Sequence, residues 1–264
     1  MIHVRAPATT ANLGAGFDCA GAALDLWNEL ELSVDGGDAE PDHLAVRAFA
    51  RLASPEGFGF TFTERIPRAR GLGSSAATIA LGLVAGAAAA DRIADPEELL
   101  ALGLDLEGHP DNLAAALAGG VCLTWDGRVA RIAESLPLTP VAIVPRERTS
   151  TEASRRALPS SIPHADAAAN AARAALLAAG AVAGDAELFA AALDDRLHEP
   201  YRPSPTLEAV RAEPPPGSRG ATLSGSGPTV IVWADDAETC AAALTSRFSE
   251  HEVIRLAVTP RGAL

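Results

Sequence analysis

The feature that most constrains this chain is a run of small residues, Gly71-Leu72-Gly73-Ser74-Ser75, that passes directly into a stretch rich in alanine. Residues 76–90 favour a helix by composition, and residues 58–66 alternate apolar and polar side chains as a strand does. A loop between strand and helix lets backbone N–H groups and the positive end of a helix close around an anion. The run therefore predicts a phosphate-binding loop, although a plain glycine turn with serine helix caps would use the same residues.

The same loop also fits the dinucleotide-binding pattern G-x-G-x-x-G/A. A central parallel strand should be continuously apolar, whereas the preceding strand alternates and the four residues 67–70 separate it from the first glycine. The acid expected at the end of a second strand is instead Asp91 or Asp95, at the end of a predicted helix. We therefore favour phosphate binding over dinucleotide binding.

Charge and composition exclude several classes of function. The net charge of −13 repels phosphate backbones and anionic lipid, which argues against nucleic-acid and membrane-surface partners. The combined total of lysine and arginine is 21, and all 21 are arginine. Without lysine the chain has no Walker A lysine, no protein-kinase strand lysine and no Schiff-base lysine.

The sequence also predicts a compartment. The first residues lack the apolar core of a signal peptide, and the weakly apolar stretch 76–90 is too short to span a bilayer. The cysteines Cys19, Cys122 and Cys240 are far apart, so they indicate free thiols rather than a zinc site or a disulfide framework. We expect a soluble cytoplasmic protein.

The order of predicted elements indicates the fold class. Strands and helices are mixed but do not alternate regularly enough for a doubly wound sheet, so we predict an α+β fold. Residues 1–5 and 27–34 read as strands, and Asp126-Gly127 joins two strands in a hairpin. A stretch with prolines at residues 136–140 is the candidate boundary between domains 1–138 and 139–264.

Three further clusters mark a functional site. The runs 7–18 and 223–229 are small-residue turns next to strands, where the backbone is expected to approach something closely. Ser224 and Ser226 do not fit the G-x-S-x-G elbow of a hydrolase. The run 106–112 holds two carboxylates, an imidazole and an amide, and its Glu107, at the end of an apolar helix, suits a hard cation. A solvated loop that caps the following helix is the alternative.

The runs PATTANLGAGFD, PRARGLGSSAAT, EGHPDN and LSGSGPT together resemble the GHMP small-molecule kinases. Among these, N-L-G-x-G-F-D, E-G-H-P-D-N and E-P-Y-R resemble the homoserine kinase branch. The resemblance spans residues 7–229 and implies two domains, one like ribosomal protein S5 and one ferredoxin-like. It also implies ATP and Mg²⁺, phosphorylation of the L-homoserine hydroxyl in threonine biosynthesis, and a homodimer.

The resemblance places roles on residues of this chain. The carboxylate of L-homoserine suits arginine, and its ammonium and hydroxyl groups need acceptors. Which acidic residue of the chain binds which of these groups stays open. His43 departs from the family pattern, which has asparagine there to help hold the nucleoside.

Two other hypotheses remain: a mevalonate-type kinase, disfavoured by the missing lysine, and a non-catalytic sensor, disfavoured because Glu107 and the second loop serine are present. The implied site comprises catalytic Asn12, Asp18 and Asn112; substrate-binding Asp18, His109, Asp111, Thr151, Arg155, Arg202 and Gly225; nucleotide-binding His43, Pro67, Arg70, Gly71, Leu72, Gly73, Ser74, Ser75, Ala76 and Ala77; and metal-binding Ser75 and Glu107.

Overall fold

The computed structural model describes residues 1–34, 36 and 40–263, and its helices and antiparallel strands confirm the α+β class. The strands are β1 Ile2–Asn12, β2 Gly16–Ser33, β3 Gly59–Thr63, β4 Val121–Trp125, β5 Arg128–Ala133, β6 Thr139–Val144, β7 Ser218–Leu223, β8 Val230–Ala234 and β9 Glu252–Arg255. The helices are α1 Leu44–Phe49, α2 Ser74–Ala89, α3 Pro96–Glu107, α4 Pro110–Ala118, α5 Thr151–Arg156, α6 His164–Ala183, α7 Ala186–Ala191, α8 Pro205–Ala212 and α9 Ala237–Arg247, with a 3₁₀ turn at Glu199–Tyr201. None of these helices is both long and apolar enough to cross a membrane.

The first sheet is built on the long strand β2. It has the order β1-β2-β4-β5, and β3 pairs with the far end of β2. Helices α2 and α4 lie against β1 and β2. Ile79, Leu83 and Leu113 from these helices are fully buried with Leu24 and Leu30 of β2 in one large core. This packing brings the first residues of α2 and α4 to the same end of the sheet.

The second sheet has the order β7-β8-β6-β9, all antiparallel. One face, with Ile231 and Trp233, joins the core of the first sheet, and the other packs on α8 and α9 through a separate apolar cluster. The chain then returns to the first sheet, where Val258 bridges Leu24. The first strand of this sheet begins at Thr139, and the division into domains 1–138 and 139–264 stays a prediction.

The predicted hairpin is confirmed, because Trp125 pairs with Arg128 around Asp126-Gly127. The predicted limits of the first two strands were wrong: β1 runs to Asn12 rather than Arg5, and β2 begins at Gly16 rather than Trp27. Residues 6–12 are all buried, and residues 6–11 are alanine, proline or threonine on both faces of β1. The alternation of apolar and polar side chains that reveals a strand is therefore lost. The small-residue run 7–18 therefore consists of the end of β1 and the start of β2, joined by a tight turn.

Candidate active site

One cleft collects loops from both sheets. It opens to solvent, contains about 660 Å³ of space and lies where the β1–β2 turn, the glycine loop, the α3–α4 junction, α5 and the β7–β8 turn meet. Every residue predicted to be catalytic, substrate-binding or metal-binding lines it. The lining residues are Asn12, Asp18, Ala69, Gly71, Gly73, Ser74, Ser75, Glu107, His109, Asp111, Asn112, Thr149, Thr151, Arg155, Arg202, Gly225, Ser226 and Gly227.

The glycine loop presents the start of α2 to this cleft. Gly71 and Gly73 have φ of +83° and +64°, a region that L side chains rarely adopt. A Cβ on Gly71 would lie 2.5 Å from the Ser224 carbonyl oxygen. Gly73 is the N-cap of α2, and no side chain in the described structure caps this helix, so its first N–H groups remain available to an anion.

The glycine loop is held from behind by the two strand ends. The Thr9 N–H donates to the Leu72 carbonyl oxygen at 3.1 Å. The Ser224 hydroxyl lies 2.5 Å from the Gly71 carbonyl oxygen and 2.9 Å from Thr10 Oγ1. These contacts fix the loop to both sheets before any ligand binds.

The side-chain amide of Asn12 connects the β1–β2 turn to the β7–β8 loop. Asn12 has a φ of +72°, and its Oδ1 accepts from the Asp18 N–H at 3.1 Å. Its Nδ2 donates to the Gly225 carbonyl oxygen at 2.9 Å, and the Gly225 N–H donates back to the Ala11 carbonyl oxygen. Asn12 therefore ties the turn to the β7–β8 loop, and its catalytic role stays a prediction.

Two arginines, Arg155 and Arg202, line the same cleft. Arg155 on α5 pairs with the Asp18 carboxylate. Arg202 donates to the Gly225 carbonyl oxygen at 3.2 Å and to His198 Nδ1 at 3.1 Å. Both guanidinium groups also lie over the Phe17 ring. Two fixed cations next to one carboxylate form a charge pattern that matches an amino-acid zwitterion.

The acids at the α3–α4 junction are shielded from water. Burial raises the pKa of Glu107 to about 7, opposed by a hydrogen bond with Ser75 and reinforced by Asp111, and its Oε2 has no partner among the described residues. Burial likewise raises the pKa of Asp111 to about 6. Burial, with a smaller effect of Arg155, lowers the pKa of His109. A buried carboxylate oxygen without a partner fits a cation ligand.

Several residues predicted to bind nucleotide lie outside the cleft lining. Leu72, Ala76 and Ala77 are buried in the core and do not line the cleft. Pro67 lies beyond the lining, and Arg70 donates to the Arg146 carbonyl oxygen at 3.0 Å. His43 is the N-cap of α1, where its Nδ1 accepts from the Ala45 N–H and its ring stacks on Phe62 at 4.1 Å. The nucleotide roles of these residues stay predictions.

Sequence reasoning missed the residues that hold the site in place. Thr9, His198 and Ser224 are fully buried behind it, and each bonds to a residue or loop of the cleft. Isolated buried polar residues carry no periodic signal. The only available signal was their position within or beside runs already singled out, since His198 directly precedes E-P-Y-R.

Comparison with known proteins defines the class. The family model for the N-terminal domain of GHMP kinases matches residues 43–120, which include the glycine loop and the α3–α4 junction. The crystal structure of homoserine kinase from Cytophaga hutchinsonii superposes with a TM-score of 0.84 at 26% identity, covering 99% of this chain and 96% of that chain. The crystal structure of L. major mevalonate kinase superposes with a TM-score of 0.73 at 16% identity, covering 100% of this chain and 97% of that chain, which shows the shared fold alone. The fold is that of a GHMP kinase.

Curated relatives narrow the class further. Homoserine kinase of Streptomyces avermitilis is 41% identical over 89% of this chain and 86% of its own length. That of Synechococcus sp. strain RCC307 is 40% identical over 87% of this chain and 83% of its own. The chain belongs to the homoserine kinase family.

Proposed function

We propose that this chain transfers the γ-phosphoryl group of ATP to the side-chain hydroxyl of L-homoserine, giving O-phospho-L-homoserine for threonine biosynthesis. The observation that carries the proposal is one cleft that holds an anion-binding helix start together with Asp18, Arg155 and Arg202. Phosphoryl transfer requires mainly positioning and neutralisation of charge. The cleft supplies both without a lysine.

The glycine loop binds the phosphates of ATP through its backbone. The N–H groups at the start of α2 and the positive end of that helix face the cleft. Ser74 Oγ already accepts from the Ala69 N–H at 3.3 Å, so its hydroxyl contributes to the shape of the loop. Backbone contacts therefore dominate over side-chain contacts in this proposal.

Mg²⁺ fits beside this loop. Glu107 offers a buried carboxylate oxygen without a protein partner, and Ser75 is the hydroxyl next to it. No cluster of three or more His, Cys, Asp or Glu suited to a metal occurs in residues 1–34, 36 and 40–263. Mg²⁺ commonly takes one or two protein ligands and fills its shell with phosphate oxygens and water. Bound there, the ion would neutralise charge on the phosphates.

L-Homoserine takes the side of the cleft between the two arginines and Asp18. Arg155 and Arg202 hold its carboxylate, and Asp18 accepts from its ammonium group. Thr151, whose Oγ1 lies 3.3 Å from Ser226 Oγ, holds α5 against the β7–β8 turn. The hydroxyl of homoserine then points towards Asn112 and the glycine loop, where His109 and Asp111 close the cleft.

A coupled assay of ADP release tests the proposal. Homoserine, serine, threonine, mevalonate and shikimate are offered with ATP and Mg²⁺, and the product is identified by ³¹P NMR. We expect turnover of homoserine well above the other four alcohols. Preference for mevalonate would support the other kinase branch, and absence of any turnover would support a sensor. Homodimer formation, measured by light scattering, stays a separate prediction.

A further inference from the structure

Thr9 links the glycine loop to the proposed catalytic amide without reaching the cleft. Its side chain is fully buried. Its backbone N–H donates to the Leu72 carbonyl oxygen at 3.1 Å, and its hydroxyl donates to Asn112 Oδ1 at 2.7 Å. Gly73 lies so close that a Cβ there would be 1.8 Å from Thr9 Oγ1 and 3.2 Å from Asn112 Oδ1.

These contacts fix the direction of the Asn112 amide. Asn112 Nδ2 lies 3.4 Å from Asp111 Oδ1, on the side away from Thr9. Rotating the amide by half a turn would place Asn112 Oδ1 against the Asp111 oxygen, and two oxygens at that distance repel each other. It would also leave the Thr9 hydroxyl without the acceptor that the described structure gives it. Thr9 and Asp111 therefore favour the same orientation.

In that orientation the NH₂ group of Asn112 lies between Asp111 and Gly225 of the β7–β8 turn. The closest side-chain atom to a Cβ built on Gly225 is Asn112 Nδ2, at 3.9 Å. Gly225 carries the carbonyl to which Arg202 donates, so this is the homoserine side of the cleft. A donor there binds one lone pair of the substrate hydroxyl and leaves the other lone pair for the phosphoryl group.

We propose that Thr9 is a positioning residue that holds Asn112 as a hydrogen-bond donor to the hydroxyl of the substrate. This inference rests on the proposed function of the cleft, and it assigns a role to a residue outside it. A role limited to stability would affect folding without a selective effect on turnover. The two roles are separated by two variants of Thr9, one that removes the hydroxyl donor and one that keeps it.

Thr9→Val keeps the shape and removes the donor, whereas Thr9→Ser keeps the donor and removes a methyl group. With homoserine and ATP, we expect kcat of Thr9→Val to fall roughly tenfold or more, as misplacement of a catalytic group does. KM for either substrate should stay within about twofold, and Thr9→Ser should retain most of the parent kcat. Thr222→Val is the matched control, because Thr222 is equally buried, does not line the cleft and accepts from Trp233 Nε1 rather than bonding to a cleft residue.

A double-mutant cycle shows whether Thr9 acts through Asn112. In an Asn112→Ala background, Thr9→Val should lower kcat by less than about twofold, since no amide remains to be held. An equal loss in both backgrounds would overturn the proposal, as would an unchanged kcat in Thr9→Val or an equal loss in Thr9→Ser. If Thr9→Val does not fold, Thr9→Ala replaces it in the same comparison.

A measurement without substrate keeps this inference separate from the proposed function. The side-chain ¹⁵N signal of Asn112, identified by its loss in Asn112→Ala, reports the hydrogen bond in the free protein. It should shift in Thr9→Val and hold its position in Thr9→Ser and Thr222→Val. Unshifted signals in all variants would overturn the positioning role. A shift in Thr9→Val in a protein that does not phosphorylate homoserine would leave the hydrogen bond established and the proposed function wrong.

Discussion

The Arg155 guanidinium is paired with the Asp18 carboxylate, 137 residues apart in sequence, inside the candidate active site. Both side chains are about one-third exposed, at 33% and 36%. Ion pairs with such access to water contribute only about 0–1 kcal/mol, so opening this one costs little. When a zwitterion separates this ion pair, each charged side chain gains a new partner. The ammonium group of the zwitterion pairs with Asp18, and its carboxylate pairs with Arg155 and Arg202.

This exchange predicts the effect of Arg155→Lys. Lysine keeps the charge but loses the planar fork, so KM for homoserine should rise about tenfold while KM for ATP changes little. With 3-aminopropan-1-ol, which lacks the carboxylate, the parent should be slow and Arg155→Lys should add no further penalty. Steady-state kinetics with both alcohols make the comparison.

Arg173→Lys serves as the control for that variant. Arg173 pairs with Asp194 at 2.8 Å outside the cleft, so the same change there should leave both KM values unaltered. Two results would contradict binding of the homoserine carboxylate by Arg155. One is a KM for ATP that rises as much as the KM for homoserine in Arg155→Lys, and the other is full activity of the parent on 3-aminopropan-1-ol.

Glu107→Gln tests the metal ligand. The change removes one charge at nearly constant shape, and we expect the Mg²⁺ concentration for half-maximal activity to rise on the order of tenfold or more. The variant should be no less stable than the parent, because burial makes the ionised carboxylate costly. Asp105→Asn on the same helix is the control, since Asp105 is exposed and pairs with Arg51. An unchanged Mg²⁺ requirement would contradict the role of Glu107 as a metal ligand.

Gly73→Ala separates close approach from backbone strain. Its Cβ would overlap the Thr9 hydroxyl, so the glycine loop must move, and ATP binding should weaken roughly tenfold or more. Gly57→Ala is the matched control, because Gly57 has a φ of +84° but no atom within 4 Å of the added Cβ. That control should cost about 1 kcal/mol of stability and leave ATP binding intact. Calorimetry of ATP binding decides, and equal affinity in all three proteins would contradict the loop assignment.

His198 predicts a pH dependence of stability. Burial lowers the pKa of His198 to about 4; Asp195 and the Gly14 carbonyl raise it, as does Asp18 slightly, and Arg202 lowers it. Asp195 opposes this shift most, but burial outweighs it, and the Asp195 Oδ2 also accepts three backbone N–H groups. The unfolded chain takes up a proton near pH 6.5 and the folded protein does not, so stability is lost as pH falls below that value.

The comparison is with His198→Asn, which cannot ionise and keeps an acceptor for Arg202. Between pH 7.5 and pH 5 the parent should lose about 2 kcal/mol more of its unfolding free energy than the variant. Urea unfolding at the two pH values gives the difference. Parallel losses would mean that His198 is protonated in the folded protein.

The parts of the site that the sequence predicted are those built from local patterns. The glycine loop, the α3–α4 cluster and the β7–β8 turn each lie within a few residues, and all three line the cleft. The pairing of Arg155 with Asp18 and the clamp by Thr9 and Ser224 join residues more than 100 positions apart. Such contacts depend on how the two sheets pack, which no local spacing encodes. The buried alanines and threonines of β1 likewise hid the strand that places Thr9.

The last prediction concerns the proton of the substrate hydroxyl. In a loose transition state that proton can leave late, so a strong base contributes little and orientation dominates. Asp18 pairs with Arg155 and, in the proposed function, accepts from the ammonium group of the substrate. Asn112→Ala should therefore cost on the order of 10²-fold in kcat, as misplacement of the attacking group does.

The pH profile distinguishes orientation from general-base catalysis. We compare kcat from pH 5.5 to 9 at saturating ATP, Mg²⁺ and homoserine for the parent and Asp18→Asn. If orientation dominates, the kcat profile of Asp18→Asn should show the same ionisations as that of the parent. The KM of Asp18→Asn for homoserine should rise, because the ammonium group loses its acceptor. An ionisation that vanishes in Asp18→Asn at unchanged KM would make Asp18 the general base. In that case the proton leaves early, and the amide held by Thr9 would assist catalysis rather than dominate it.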